Sequence, residues 1–231
     1  MPPYGRVRPP RAGPLCWGME IVSVNVSAVR EVAAGGKVLR TGIFKAPAGG
    51  RVHLGERGLT GDDQADRRHH GWPTQAAYAF AAEEYPHWQA FLSRLTLPHG
   101  SFGENLTVAG LDDDTVCIGD VYRVGGARVE VTFPRVPCST LAAALDSPQI
   151  VKAFLERARC GPYLRVLTPG KVGVGDTMTR ESAHSLGLSL REAMILMHAP
   201  APSRTRCAEA ASIKAMDERW RTKFAAKAEG R

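Results

Sequence analysis

A chain of 231 residues with 44% apolar content is long enough for one large domain and a small appendage. No apolar run reaches eighteen residues, so the sequence offers no membrane-spanning helix; five cysteines without a CxxC pair argue against a disulfide framework and a zinc-finger spacing, and point to a reducing cytoplasm. The net charge of +7 sits in the ends: residues 1–18 and 181–231 carry +3 each and the stretch between them only +1, the pattern of solvated tails rather than a specific nucleic-acid groove.

Residues 1–18, rich in Pro, Gly and Arg, read as a disordered leader. Arg without acids also suits a transit peptide, but no amphipathic helix accompanies it. From Met19 the texture changes. Ile21–Val26, Val38–Phe44 and Arg51–Leu54 read as short strands, and Tyr78–Leu95, with Trp88 and Phe91 three apart, reads as a helix. Val121–Val124, Gly125-Gly126 and Ala127–Phe133 form a hairpin whose two-residue turn needs positive φ. In its second strand Val129, Val131 and Phe133 share one face and Arg128 and Glu130 the other. Ser147–Ala158 is a helix with Pro148 near its first turn, followed by strands at Tyr163–Leu167 and Val172–Val174. Many short strands with two interrupting helices predict a mainly β fold, a closed or nearly closed barrel spanning 19–180; a doubly wound sheet would need a more regular alternation. Beyond it, 181–231 reads as a small all-α appendage of three helices. The first is opened by the capping box Ser189-Leu190-Arg191-Glu192 and runs to about His198; the others span about 205–214 and 217–227. Docking on the barrel and covering something on it are both open to such an appendage.

The hairpin strand runs into Phe133-Pro134-Arg135-Val136-Pro137-Cys138-Ser139. Two prolines remove backbone donors and stiffen the loop, which holds a guanidinium and a thiol at fixed separation. A free cysteine is often a buried small hydrophobe; it is also a nucleophile and a soft metal ligand. Residue types alone leave these open.

Six ordered blocks then carry a family resemblance: Thr41-Gly42-Ile43-Phe44-Lys45, Gly58–Asp66, His70-Gly71, Phe102-Gly103-Glu104-Asn105-Leu106-Thr107, Ile118-Gly119-Asp120 and Pro134–Cys138. In this order they resemble MOSC domains, the molybdenum-cofactor sulfurase C-terminal domains, and the helical end resembles the three-helix tail of the YiiM-like branch. The resemblance implies a β-barrel and a molybdenum–molybdopterin cofactor with Cys138 as the metal's protein ligand. The implied activity is reduction of N-hydroxylated compounds such as 6-hydroxylaminopurine, a detoxification chemistry. A thiolate suits molybdenum, and Arg135 is placed to favour the charged thiol and to bond cofactor oxygens. Lys45 is the cation expected at the cofactor phosphate. Asp62, Gln64 and Asp66 are candidates for the pterin nitrogens, with Asp62 equally suited to an Asx turn. Asn105 offers an amide, and Glu104 reads as a loop cap. His70, with Gly71, is expected to bond the cofactor or deliver a proton; His69 reads as surface. Arg165 reads as an outward strand residue.

The family's usual His-Gly-Gly-Pro-Asp followed by a basic residue is His70-Gly71-Trp72-Pro73-Thr74-Gln75 here, so the contacts of that loop are expected to differ. No dinucleotide fingerprint or iron–sulfur cysteine set occurs. Electrons are therefore expected from a flavoprotein reductase or ferredoxin facing the basic tail, and a homodimer is compatible with the chain. Two alternatives stand beside the reductase: a non-catalytic carrier of cofactor or sulfur, and a thiol enzyme built on Cys138 and His70.

Overall fold

Short strands with alternating burial build the larger part of the molecule, seen in a computed structural model that describes residues 18–34, 36–65 and 72–231. The leader up to Trp17, together with Asp66, His69, His70 and Gly71, lies outside the described residues. β1 (Met19–Val26) opens the barrel, and β2 (Arg30–Ala34) and β3 (Lys37–Thr41) form a separate two-stranded hairpin. β4 (Ala46–Pro47), β5 (Val52–Gly55) and β6 (Gly58–Leu59) follow, then β7 (Ala77–Ala81), α1 (Tyr85–Phe91) and β8 (Leu106–Ala109). β9 (Val121–Val124) and β10 (Ala127–Pro134) make the expected hairpin, and Gly125 supplies its positive φ of 54°. After α2 (Ser139–Ala144) and α3 (Ile150–Arg157) come β11 (Pro162–Thr168), β12 (Gly170–Val172) and β13 (Thr177–Ser182). The tail holds α4 (Leu190–His198), α5 (Arg204–Ser212) and α6 (Glu218–Ala228).

The main sheet runs β13-β9-β10-β11-β7-β8-β1, and β1 pairs back onto β13, Met19 opposite Met178, which closes a seven-strand barrel. Closure removes the open edges that would template aggregation. All pairs are antiparallel except β7–β8. Val108, Val124, Val129, Val131 and Leu164 are fully buried in it. Beside it Trp88 stacks on Phe154, ring centroids 4.0 Å apart, and Phe80 meets Phe102 at 4.7 Å, so an aromatic cluster supports the Phe102 loop from behind.

The barrel and tail agree with expectation, and four local readings change. Tyr78–Leu95 is not one helix. Ala77–Ala81 is a strand buried on both faces between β8 and β11, and only Tyr85–Phe91 is α-helical. Pairing on both sides overrides the helix propensity of three alanines there. Gly161 permits this close approach, since a Cβ on it would overlap the Ala79 carbonyl oxygen. The strand expected over 38–44 ends at Thr41 and pairs with β2, which the sequence reading missed along with α2 and β13. Pro134 is also the end of β10 rather than loop, paired with Pro162, where two prolines cost the ladder no interior bond.

The tail docks on the barrel. Trp220 packs 5.7 Å from the Phe133 ring, Thr74 Oγ1 donates to Asp217 Oδ2 at 2.7 Å, and the Arg219 guanidinium lies 5.5 Å from the Trp72 ring centroid. Ser189 caps α4 by accepting from the Glu192 N–H, as the capping box requires. Two of the unusual side chains in the Trp72–Gln75 loop are thus used to hold the tail. Among the described residues no helix is long and apolar enough to cross a membrane.

Candidate functional site

Where β10 ends, the Arg135 backbone N–H donates to the Gly161 carbonyl, and the chain turns through Pro137 to Cys138, which starts α2 in an extended conformation (φ −133°). This stations the thiol and the guanidinium on the wall of a cleft of about 200 Å³ at the barrel rim. Lys45, Gln64 and Asn105 line the same cleft, on segments that are distant in sequence. Five of the expected site residues therefore meet.

Lys45 is no solvent lysine. Its side chain is 7% exposed and ion-pairs with Asp62, itself 4% exposed. Asp62 does not line the cleft. Its Oδ1 also accepts from the Ser27 N–H at 2.9 Å, and its Oδ2 accepts from Asn105 Nδ2 at 2.9 Å. The expectation that Asp62 contacts a ring ligand is corrected here: both oxygens are engaged inside the protein, so it aims Lys45 and Asn105 instead. Asn105 is engaged too, donating to Asp62 and to the Asn25 carbonyl while its Oδ1 accepts from the Tyr78 N–H at 3.1 Å. Its amide cross-braces three segments rather than offering free donors. An ammonium has three donors, so Lys45 retains capacity toward the cleft.

Glu104 is the loop cap expected of it. Fully buried, it accepts from the Gly100 and Phe102 N–H groups, from Thr107 Oγ1 and from the Tyr85 hydroxyl. Burial raises its pKa despite these bonds. Arg165 pairs with Glu130 at 2.7 Å on the outer face of β10–β11, and is structural.

Arg135 is 4% exposed, and its Nη1 has no hydrogen-bond partner among the described residues. Its guanidinium carbon lies 5.7 Å from the Tyr78 ring centroid. Burial opposes the charge, Tyr78, Tyr163 and Cys138 favour it, and its pKa is raised. Tyr78 and Tyr163, rings 5.6 Å apart, are held neutral by burial. The Tyr78 hydroxyl is tied to the Cys160 carbonyl at 2.8 Å, so it presents its ring to the cleft. Cys160 is a different kind of thiol, buried, with its pKa pushed up by desolvation. These two tyrosines, Gln75 and Thr140 line the cleft without having been picked out from sequence. Gln75 lay within a block already noted as unusual; the tyrosines looked like ordinary helix and strand residues.

A thiol, a buried arginine and a braced lysine thus converge at one rim cleft of a closed β-barrel. The MOSC domain family matches residues 66–179. The chain is 38% identical over 204 residues to the uncharacterized protein YflK of Bacillus subtilis strain 168, covering 88% of this chain and 92% of that one. It is also 31% identical over 164 residues to a protein named reductase from Gibberella moniliformis, covering 69% of this chain but only 28% of that longer protein. Among solved structures, YiiM from Geobacillus stearothermophilus superposes with a TM-score of 0.77 at 30% identity, over 91% of this chain and 99% of that one. The chain belongs to the MOSC domain family.

Proposed function

We propose that this protein is a reductase of N-hydroxylated compounds, of the 6-hydroxylaminopurine type, working with a molybdenum cofactor for which Cys138 is the thiolate donor. The observation that carries the reading is the cleft itself: Cys138 shares it with Lys45 and with a buried Arg135 whose Nη1 lacks a protein partner. A buried, unpaired donor costs about 1–3 kcal/mol, a cost that an anionic or oxo ligand would offset. The donor set suits the group: a soft thiolate for the metal and two cations for oxygens and phosphate. The relative named reductase supports the oxidoreductase class. Bound here, the cofactor would supply two-electron cleavage of the N–O bond, with R–NHOH taking up two electrons and two protons to give R–NH2 and water.

The chain's own residues prepare that chemistry. The Arg135 backbone is held by its bond to Gly161, and its side chain lines the cleft with Nη1 unpaired among the described residues. Asp62 orients Lys45, Asn105 ties Asp62 to β1 and β7, and Tyr78 and Tyr163 line the cleft. We assign His70 to proton delivery. Electrons come from a separate flavoprotein reductase or ferredoxin, attracted by the excess positive charge of the tail.

Metal analysis of the purified protein, combined with an assay of 6-hydroxylaminopurine reduction by a reduced dye, tests this. Molybdenum with turnover in the wild type, and loss of both in Cys138→Ser, is the expected result. Full activity in Cys138→Ser refutes the mechanism, and molybdenum without turnover makes the protein a carrier.

A further inference from the structure

Gln75 closes a single 3-10 turn, Pro73–Gln75, directly before β7, and is 6% exposed. Its neighbours Thr74 and Trp72 are held by the tail, so the turn is anchored from outside while Gln75 lines the cleft. Its Oε1 is buried and has no hydrogen-bond partner among the described residues. The same holds for Gln64 Oε1 and Arg135 Nη1, which line the same cleft. Buried polar atoms left unpaired cost about 1–3 kcal/mol each, so two amide oxygens and one guanidinium nitrogen at one cleft mark the shape of a ligand.

Their polarity says what kind. An amide oxygen only accepts, so two of them repel phosphate or carboxylate oxygens and attract N–H groups. The guanidinium supplies the complementary donor. Tyr78 and Tyr163 add aromatic surface against which a planar ring can lie. At about 200 Å³ the cleft is smaller than the roughly 300–1,000 Å³ of a site that encloses a drug-sized ligand, so it takes one ring system and leaves the rest outside.

We propose that Gln75 is a ligand-recognising residue that accepts a hydrogen bond from an amino or ring N–H group of a planar nitrogen heterocycle in this cleft, with Gln64 as a second acceptor. The assignment rests on the reading of the cleft given above and deepens it. Two sources share this chemistry, the pterin of the cofactor and the purine ring of the substrate.

The experiment compares wild type, Gln75→Leu and Gln75→Glu, purified in parallel. One arm measures pterin retained per protein after dialysis; the other measures adenine affinity by calorimetry. Losing one buried acceptor lowers adenine affinity or pterin retention about tenfold in Gln75→Leu, while Gln75→Glu, which keeps an acceptor oxygen, stays within a few-fold of wild type. A loss confined to adenine assigns Gln75 to the substrate ring, and one confined to pterin assigns it to the cofactor. Should Gln75→Leu not fold, Gln75→Met drops the acceptor at similar length. Unchanged values in both arms for a folded variant, or a wild type that holds neither ring, overturn the proposal. Ring binding without reduction of 6-hydroxylaminopurine sinks the reductase reading and leaves this one standing.

Discussion

Replacing either partner of the Lys45–Asp62 pair tests whether Asp62 acts as the organiser of the cleft. Both side chains are nearly inaccessible, and removing one partner of a buried pair typically costs about 3–5 kcal/mol because a charge is stranded. The two removals are not equivalent here. In Lys45→Met the Asp62 carboxylate still accepts from Ser27 N–H and from Asn105 Nδ2, so part of its charge remains solvated by the protein. In Asp62→Leu the ammonium, the Ser27 N–H and the Asn105 amide all lose their acceptor at once. Two extra lost hydrogen bonds at about 1 kcal/mol each put Asp62→Leu about 2 kcal/mol below Lys45→Met. Urea unfolding at pH 7 with matched m-values reads this difference directly. Pterin retention should fall in both variants, because Asn105 braces the cleft and Lys45 faces it. Equal costs, or a larger cost for Lys45→Met, would show that Asp62 is a passive counter-ion.

Two further outcomes follow from the same geometry. Burial pushes the Asp113 carboxyl from 3.8 up to about 6, although it accepts from the Gly161 and Cys160 N–H groups. The folded state therefore holds this proton more tightly than the unfolded chain, and the group's stabilising contribution, full below about pH 4, is lost as pH rises through about 6. Asp113→Asn should remove that loss, gaining up to about 3 kcal/mol relative to wild type between pH 4 and 7; parallel stability curves would contradict it. Gly42→Ala places a Cβ onto the Asp63 carbonyl oxygen, so the segment carrying Asp62 must shift. The expected cost is about 1–3 kcal/mol with reduced pterin retention, seen in urea midpoints and pterin content.

Much of the fold is legible in local chemistry. Alternating Val129, Val131 and Phe133, the Gly125-Gly126 turn and the Ser189–Glu192 capping box each act over a few residues, and each reappears as expected. The Tyr78 segment was misread because its alanines favour a helix locally, whereas pairing to β8 and β11 decides its state, and those partners lie far along the chain. The same distance hid the site's inner organisation. Lys45, Asp62 and Asn105 are ordinary polar residues until the fold stacks them, and then one carboxylate serves three groups.

The sequence by itself determined the stiff loop that carries Arg135 and Cys138, the hairpin that delivers it and the helical tail, because prolines, turn glycines and caps act through their own backbone. Tertiary structure alone decided that the barrel closes from Met19 onto Met178, that Asp62 turns inward, and that Gln75 lines the cleft, because burial and pairing depend on neighbours that only the folded chain brings together.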